Sequence, residues 1–289
     1  MRHSESVPAY DNLPPGSGEV ITSVANPRVK QLVELRKRRT RDATGHTVID
    51  GYDEIRLALD AGVTIDALYF CPELVNDPAR LGLADTIARR GTAVVRLGRA
   101  AFGKASYRES PDGWLAQVAL PAGRLSELRL PPQPLVLVAE SIEKPGNLGA
   151  MLRTAEAAGV DAVVAASAVT DWGNPNVVRA SKGTVFALPI ASAPTGQVIE
   201  WLRSTGCSIV VATPDAERLA TDVDLTGAVA IVVGAEHAGV SDLWRAAAER
   251  SVRIPMSGRV NSLNVATSAA VMVFEAVRQR SADGARPVG

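Results

Sequence analysis

The chain has 289 residues, which exceeds one average domain and makes two domains the natural expectation. With 46% hydrophobic and 21% charged residues it reads as an ordinary soluble globular protein, and 31 basic residues balance 31 acidic ones. Overall charge therefore announces no nucleic-acid partner, so any basic footprint must be local. Two cysteines far apart, Cys71 and Cys207, and three histidines give no metal-ligand spacing and no disulfide framework. Both cysteines sit in apolar stretches and are expected to be buried thiols. No apolar leader and no bilayer-length run is visible, so no membrane association and a cytoplasmic location are expected.

Residues 1–20, rich in Ser, Pro and Gly, read as a flexible tail. Asn26-Pro27 then opens a helical pattern of Val29, Leu32, Val33 and Leu35 that ends in Arg36-Lys37-Arg38-Arg39. Cations suit a helix C-terminus, so a solvated helix end is one reading. Arg28, Lys30 and Arg41 beside that run exceed what a cap needs and point to RNA phosphates. Further on, 47–50, 65–70, 93–97 and 114–120 read as strands and 52–60 and 78–90 as helices. Together, 21–120 make a small α/β RNA substrate-binding domain. The proline-rich segment 121–133 reads as a linker to a second domain, 134–289.

In that second domain, Val- and Ala-rich strands are expected at 135–139, 162–165, 208–212, 228–233 and 252–254. Helices lie between them, and a long one runs from Ser262 to about Arg280. Strands of this kind separated by helices imply a parallel sheet covered on both faces, with ligands bound beyond the strands' carboxyl ends. Three segments follow strands there. The first is Glu140-Ser-Ile-Glu-Lys-Pro-Gly-Asn147-Leu-Gly149-Ala-Met-Leu-Arg153-Thr154, where Asn147 looks like a helix N-cap. The second, Gly234-Ala-Glu236-His-Ala-Gly239-Val, sets two glycines around a carboxylate and lets a ligand approach the backbone closely. In the third, Ile254-Pro-Met256-Ser-Gly258-Arg-Val-Asn-Ser262-Leu-Asn264-Val, Ser262 could be an N-cap and Asn264 falls in the first helical turn. No dinucleotide fingerprint and no phosphate loop is present, which disfavours a nicotinamide-dependent oxidoreductase.

In order and spacing these segments resemble the three signature motifs of the SpoU/TrmH family of RNA 2′-O-ribose methyltransferases. Arg179-Ala-Ser-Lys-Gly183-Thr-Val-Phe-Ala-Leu-Pro189 resembles that family's stretch between the first two motifs. The likeness covers about residues 134–280. A weaker one covers 22–120, where Asn26-Pro27-Arg28-Val29-Lys30 and Ile49-Asp50-Gly51 look like the family's substrate-binding domain, itself similar in fold to a ribosomal protein. Asp50 stands where many members have Glu, Glu140 where many have Asp, and Lys144 where many have Asp or Asn.

The resemblance implies an α/β catalytic domain with a deep trefoil knot, a homodimer, and S-adenosylmethionine as cofactor, with no metal. By matching motifs, the cofactor loops would lie around Thr213, Gly234 to Gly239 and Ile254 to Leu263, with Met256 and Ser262 among them. Asn147, Arg153, Glu236, Ser262 and Asn264 would form the active site. The implied substrate is 23S ribosomal RNA, which could extend to antibiotic resistance. Transfer RNA as substrate, or a non-catalytic RNA-binding protein, stays open at this point.

Overall fold

The computed structural model describes residues 20–235 and 238–282, so positions 1–19 of the expected tail and Glu236 lie outside the described residues. The chain divides after Ala119 into two compact units.

In the N-terminal unit, α1 (Pro27–Glu34) is capped by the Asn26 side chain, which accepts from Arg28 N at 2.9 Å, with Pro27 at the first helical position. The helix stops short of the basic run. A second helix, α2 (Arg38–Thr44), follows and ends on left-handed Gly45. Buried Arg41 of α2 (1% exposed) reaches back across the junction, donating from Nη1 to the carbonyls of Leu35 and Arg36, both at 2.9 Å. The sheet is built from β1 (His46–Asp50), β2 (Ile65–Phe70), β3 (Ala93–Arg96) and β4 (Trp114–Ala119) in the order β1-β4-β2-β3. It is antiparallel except where β3 runs parallel to β2. Helices α3 (Tyr52–Asp60), α4 (Gly82–Arg89) and α5 (Arg99–Ala105) complete the unit. The expected helix over 78–90 is thus split, its first turn being a separate 3-10 segment at Pro78–Arg80, and α5 occupies a stretch without a clear sequence pattern. Val29, Leu32, Val48, Tyr69, Phe102 and Leu115 share one apolar core.

Within that unit Asp50 anchors the loop after α5. Its Oδ2 accepts from Ser106 Oγ (2.7 Å) and Tyr107 N (2.6 Å), while Arg108 pairs with Glu54 at 2.8 Å. Burial pushes the Asp50 carboxyl up, against the pull of Ser106, Tyr107 and Arg108. Gly51 sits at φ +132°, and a Cβ there would overlap the Arg108 guanidinium, so only glycine lets the arginine close over the turn.

The C-terminal unit carries a seven-stranded, wholly parallel sheet in the order β7-β6-β5-β10-β8-β11-β9. Its strands are β5 (Leu135–Glu140), β6 (Ala162–Ala166), β7 (Ile190–Ala193), β8 (Ser208–Ala212), β9 (Arg218–Leu219), β10 (Val229–Val233) and β11 (Arg250–Arg253). Every residue of β5, β6 and β10 is buried, as a sheet covered on both faces requires. Helices α6 (Pro145–Ala157), α7 (Pro175–Ala180), α8 (Thr195–Ser204), α9 (Asp242–Ala247) and α10 (Val265–Ala282) supply the covers. Val136, Val138, Val164, Val211 and Val232 face a core shared with Val198 and Leu202 of α8 and Trp244 of α9, while α10 packs on α6, β10 and β5. Segment 121–133 is no free linker: Leu125, Leu128 and Leu130 pack on this core, and Gly123 lies so close to Ile190 that a Cβ would overlap its carbonyl. Cys71 and Cys207 are buried free thiols, and burial raises both. No helix of the described residues is long and apolar enough to cross a membrane.

Candidate active site

Three consecutive neighbours in the sheet, β10, β8 and β11, end in the three segments expected to hold the cofactor. Thr213 follows β8, is buried, and its N–H donates to Val252 O at 2.9 Å, which ties the β8 end to β11. After β10 the chain doubles back tightly. Gly239 N donates to Ala235 O at 2.9 Å, and a Cβ on Gly234 would fall about on top of the Gly239 carbonyl. Gly239 itself adopts φ +65°. Both glycines are therefore required by the neck of this loop, one by proximity and one by backbone hand. After β11, Ile254, Met256 and Leu263 are half-buried apolar side chains on a loop whose other members are mostly exposed. Among the described residues, no backbone bond links the N–H groups of 254–263 to another main-chain group, so this loop has donors and acceptors to offer.

The first motif starts earlier than its sequence suggests. Pro145 takes the first position of α6 and Lys144 the cap, so Asn147 is the third helical residue and not the N-cap. The last motif shifts the other way. Asn264 is the N-cap of α10: its Oδ1 accepts from Ala266 N (2.9 Å) and Thr267 N (3.4 Å), and Ser262 lies exposed ahead of it. With its carbonyl so committed, the Asn264 amide nitrogen points to Asn147 and donates to Asn147 Oδ1 at 3.1 Å. Residues 117 apart in sequence thus form one polar contact between the first turn of α6 and the start of α10.

Arg153 is exposed on α6, six residues beyond Asn147. Six residues advance about 9 Å and rotate about 240°, so Asn147 and Arg153 start from different faces of α6. Gly149, between them, is fixed by packing: a Cβ there would come within 2.5 Å of Ala180 Cβ and 2.9 Å of both Ser181 N and Val177 O of the α7 segment.

Sequence reasoning noted Glu140 only as a substitution. It is buried (4% exposed) at the end of β5, accepting at 2.7 Å from both the N–H and the hydroxyl of Ser241, just beyond the glycine loop. Thr195 Oγ1 donates to the same carboxylate at 3.3 Å and contacts Ser167 Oγ at 2.9 Å. Ser141 and Ser167, the residues that leave β5 and β6, take left-handed conformations with φ +52° and +48°. Such strain, about 1–2 kcal/mol per residue, gathers where strand ends are shaped for a task.

Of the seven expected RNA contacts, Arg41 is corrected outright, because it is buried and spent on carbonyls. Arg36 also works within the unit: Nη2 donates to Lys104 O (3.0 Å) and Ser106 O (2.8 Å), and the guanidinium lies 4.8 Å from the Tyr107 ring. Arg28, Lys30, Lys37, Arg38 and Arg39 are exposed, with Lys37 paired to Glu34 and Arg38 to Asp42. The run does not end one helix as expected. It spans the α1–α2 junction, so Arg38 and Arg39 sit in the first turn of α2, where the helix dipole gives them no support.

Comparison with known proteins agrees with this architecture. Residues 134–274 match the SpoU rRNA Methylase family and residues 26–116 the MRM3-like substrate binding domain. A 23S rRNA (uridine(2479)-2′-O)-methyltransferase from Streptomyces viridochromogenes is 30% identical over 260 residues, covering 86% of this chain and 88% of that one. The crystal structure of an RNA 2′-O ribose methyltransferase aligns with a TM-score of 0.80 at 40% identity, covering 91% of this chain and 100% of the other. An AdoMet-bound rRNA methyltransferase from Sinorhizobium meliloti aligns with a TM-score of 0.81 at 30% identity, over 90% and 97% of the two chains. From the glycine neck after β10 to the paired asparagines, the chain belongs to the SpoU rRNA methylase family.

Proposed function

We propose that the protein transfers a methyl group from S-adenosylmethionine to the 2′-oxygen of a ribose in RNA, with 23S ribosomal RNA as substrate, in the cytoplasm. The observation that carries this reading is the Asn147–Asn264 contact, which joins the first and third motifs at the carboxyl edge of the sheet. The loops after β8, β10 and β11 fit the cofactor: half-buried Ile254, Met256 and Leu263 offer apolar cover for a purine beside open main-chain groups. Thr213, Gly234, Gly239, Ser262 and Leu263 line the same loops.

When bound, S-adenosylmethionine supplies a methyl already activated on a positively charged sulfonium. The chain's own residues have to align the ribose and help one proton leave. Asn147 and Asn264, locked to each other, orient the hydroxyl through their amides. Arg153 holds the adjoining phosphate and stabilises developing charge on the oxygen. Ser262 and Glu236 complete the set, Glu236 fixing the arginine or a loop amide.

We also assign the unit a deep trefoil knot. What supports it is that β10 and β11, last in sequence, lie inside the sheet, and that α10 returns over β5. A homodimer fits the outer stripe of α10, where Val271 (40%) and Phe274 (48%) are exposed between Thr267 and Arg278. The N-terminal unit, ribosomal-protein-like in fold, would bind the substrate.

Transfer of labelled methyl to separated, unmodified 23S, 16S and transfer RNA tests the reading. Label in 23S RNA at an alkali-resistant linkage is expected. Label in transfer RNA alone would move the substrate, and none in any of the three with RNA still bound would leave a binding protein. Should the methylated ribose lie in a drug site, growth on ribosome-targeting antibiotics will report resistance as well.

Changing Arg28, Lys30 and Arg39 together to glutamine should weaken RNA binding and reduce the slope of log affinity against log salt by about two to three. An unchanged slope would make the patch a solvated turn. Arg41 is unsuitable for this experiment, because its loss would unmake the α1–α2 junction.

A further inference from the structure

We propose that Glu140 is a positioning residue for the cofactor, holding Ser241 at the exit of the glycine loop so that the loop's neck, Gly234 and Gly239, keeps the placement that accepts the methyl donor. This rests on reading that loop as part of the S-adenosylmethionine site.

The loop is pinned at two points. Its neck closes where Gly234 meets the Gly239 carbonyl. Its exit is fixed two residues later by Ser241, whose N–H donates to Glu140 Oε2 and whose hydroxyl donates to Oε1, each at 2.7 Å. Glu140 can reach this point because β5 and β10 are neighbours in register, with Ala139 beside Val233, so the carboxylate stands one residue past the last strand pair. The chain leaves β10 there and comes back to the same place to start α9.

Glu140 does more than fill space. A buried carboxylate is costly unless its oxygens are satisfied, and the three donors given to this one, Ser241 N, Ser241 Oγ and Thr195 Oγ1, are all neutral. Thr195 begins α8, and Ser167 accepts from Thr195 N at 3.2 Å, so the network runs on to the ends of β6 and β7. Four adjacent strands, β10, β5, β6 and β7, thereby share one polar belt centred on Glu140. The motif loop is the part of that belt with a ligand to hold.

The test measures S-adenosylmethionine affinity by calorimetry, RNA affinity, kcat at saturating cofactor, and melting temperature. Glu140→Gln keeps the shape and an acceptor for Ser241 N but loses the charge-assisted bonds, so the cofactor Kd should rise about tenfold. Glu140→Ala, which leaves buried donors unmade, should raise it about a hundredfold. Ser241→Ala should act in the same direction. Adding it to Glu140→Gln should cost less than the product of the two, since both remove one contact. In all of these RNA affinity should hold and kcat at saturation should stay within about threefold, which a general loss of folding would not allow. A folded Glu140→Gln with wild-type cofactor affinity would overturn the proposal. So would cofactor and RNA affinities falling together with melting temperature in that variant. Wild-type protein that binds no S-adenosylmethionine would instead refute the cofactor reading beneath it.

Discussion

Replacing Arg153 with alanine is expected to slow methyl transfer about a hundred- to thousandfold at saturating S-adenosylmethionine, a loss of about 3–4 kcal/mol in the transition state. The dissociation constant of the cofactor should stay within about twofold. Arg153 stands exposed on α6, which follows β5, whereas the expected cofactor loops follow β8, β10 and β11. A side chain so placed is expected to meet the RNA and not the donor. A guanidinium offers five N–H donors and no acceptor, so its part is to hold the oxygen and not to take its proton. Its planar fork suits a phosphate or an oxygen gaining negative charge. Arg153→Lys should therefore restore only part of the rate, because a single ammonium supplies the charge without the two-pronged geometry. RNA affinity should fall only a few-fold, as one phosphate contact among several. Collapse of cofactor binding in step with activity would sink the assignment.

The fold was legible where burial imposes a plain pattern. Ser208–Ala212 and Ile65–Phe70 are continuous apolar or alternating runs bounded by turn residues, and they form strands with the expected ends. Ile190–Ala193 carries no periodicity, being one isoleucine and three small residues after a proline; it becomes a strand only by pairing with β6. Gly103 in α5 similarly masked a helix whose C-terminal carbonyls are satisfied by Arg36 from far away in sequence. The same long reach explains the basic run. Nothing in Arg36-Lys37-Arg38-Arg39 itself announces a break, since the turn is held by Arg41 binding backwards to Leu35 and Arg36.

The site divides along similar lines. The motif resemblance points to Asn147, Arg153 and Asn264, yet cap positions depend on where a helix begins. Pro145 starts α6 two residues before Asn147, and α10 waits until Val265. That exchange of roles is what frees the Asn264 amide to meet Asn147. Glu140 and Ser241, 101 residues apart, could be joined only by sheet order, which no local pattern encodes.

Arg280→Met is expected to cost the C-terminal unit about 3–5 kcal/mol, enough to lower its melting temperature by on the order of 10 °C. The side chain is 3% exposed near the end of α10. Nε donates to Leu225 O at 3.0 Å and Nη1 to Gln133 O at 3.0 Å, while Nη2 reaches Pro134 O at 3.1 Å and Gly227 O at 2.5 Å. Those carbonyls belong to the segments that lead into β5 and β10, so one guanidinium fastens the last helix to the starts of two central strands. Gln279 adds to the fastening, accepting from Leu225 N and donating to Val223 O. Methionine fills similar volume but takes the guanidinium from four carbonyls: Pro134 O keeps Val229 N, whereas buried Leu225 O and part-buried Gln133 O and Gly227 O lose the donor that Arg280 gives them. Arg280→Lys should recover less than half of the loss, because one ammonium cannot reach both strand starts at once. Denaturation followed by tryptophan emission reads the effect locally, since Trp244 is buried on the α9 side of this sheet and Trp114 lies in the other unit. A methionine variant that melts with the wild type would mean the helix end is held by packing alone, through Met272, Val273 and Ala276, and that the guanidinium only fills its slot.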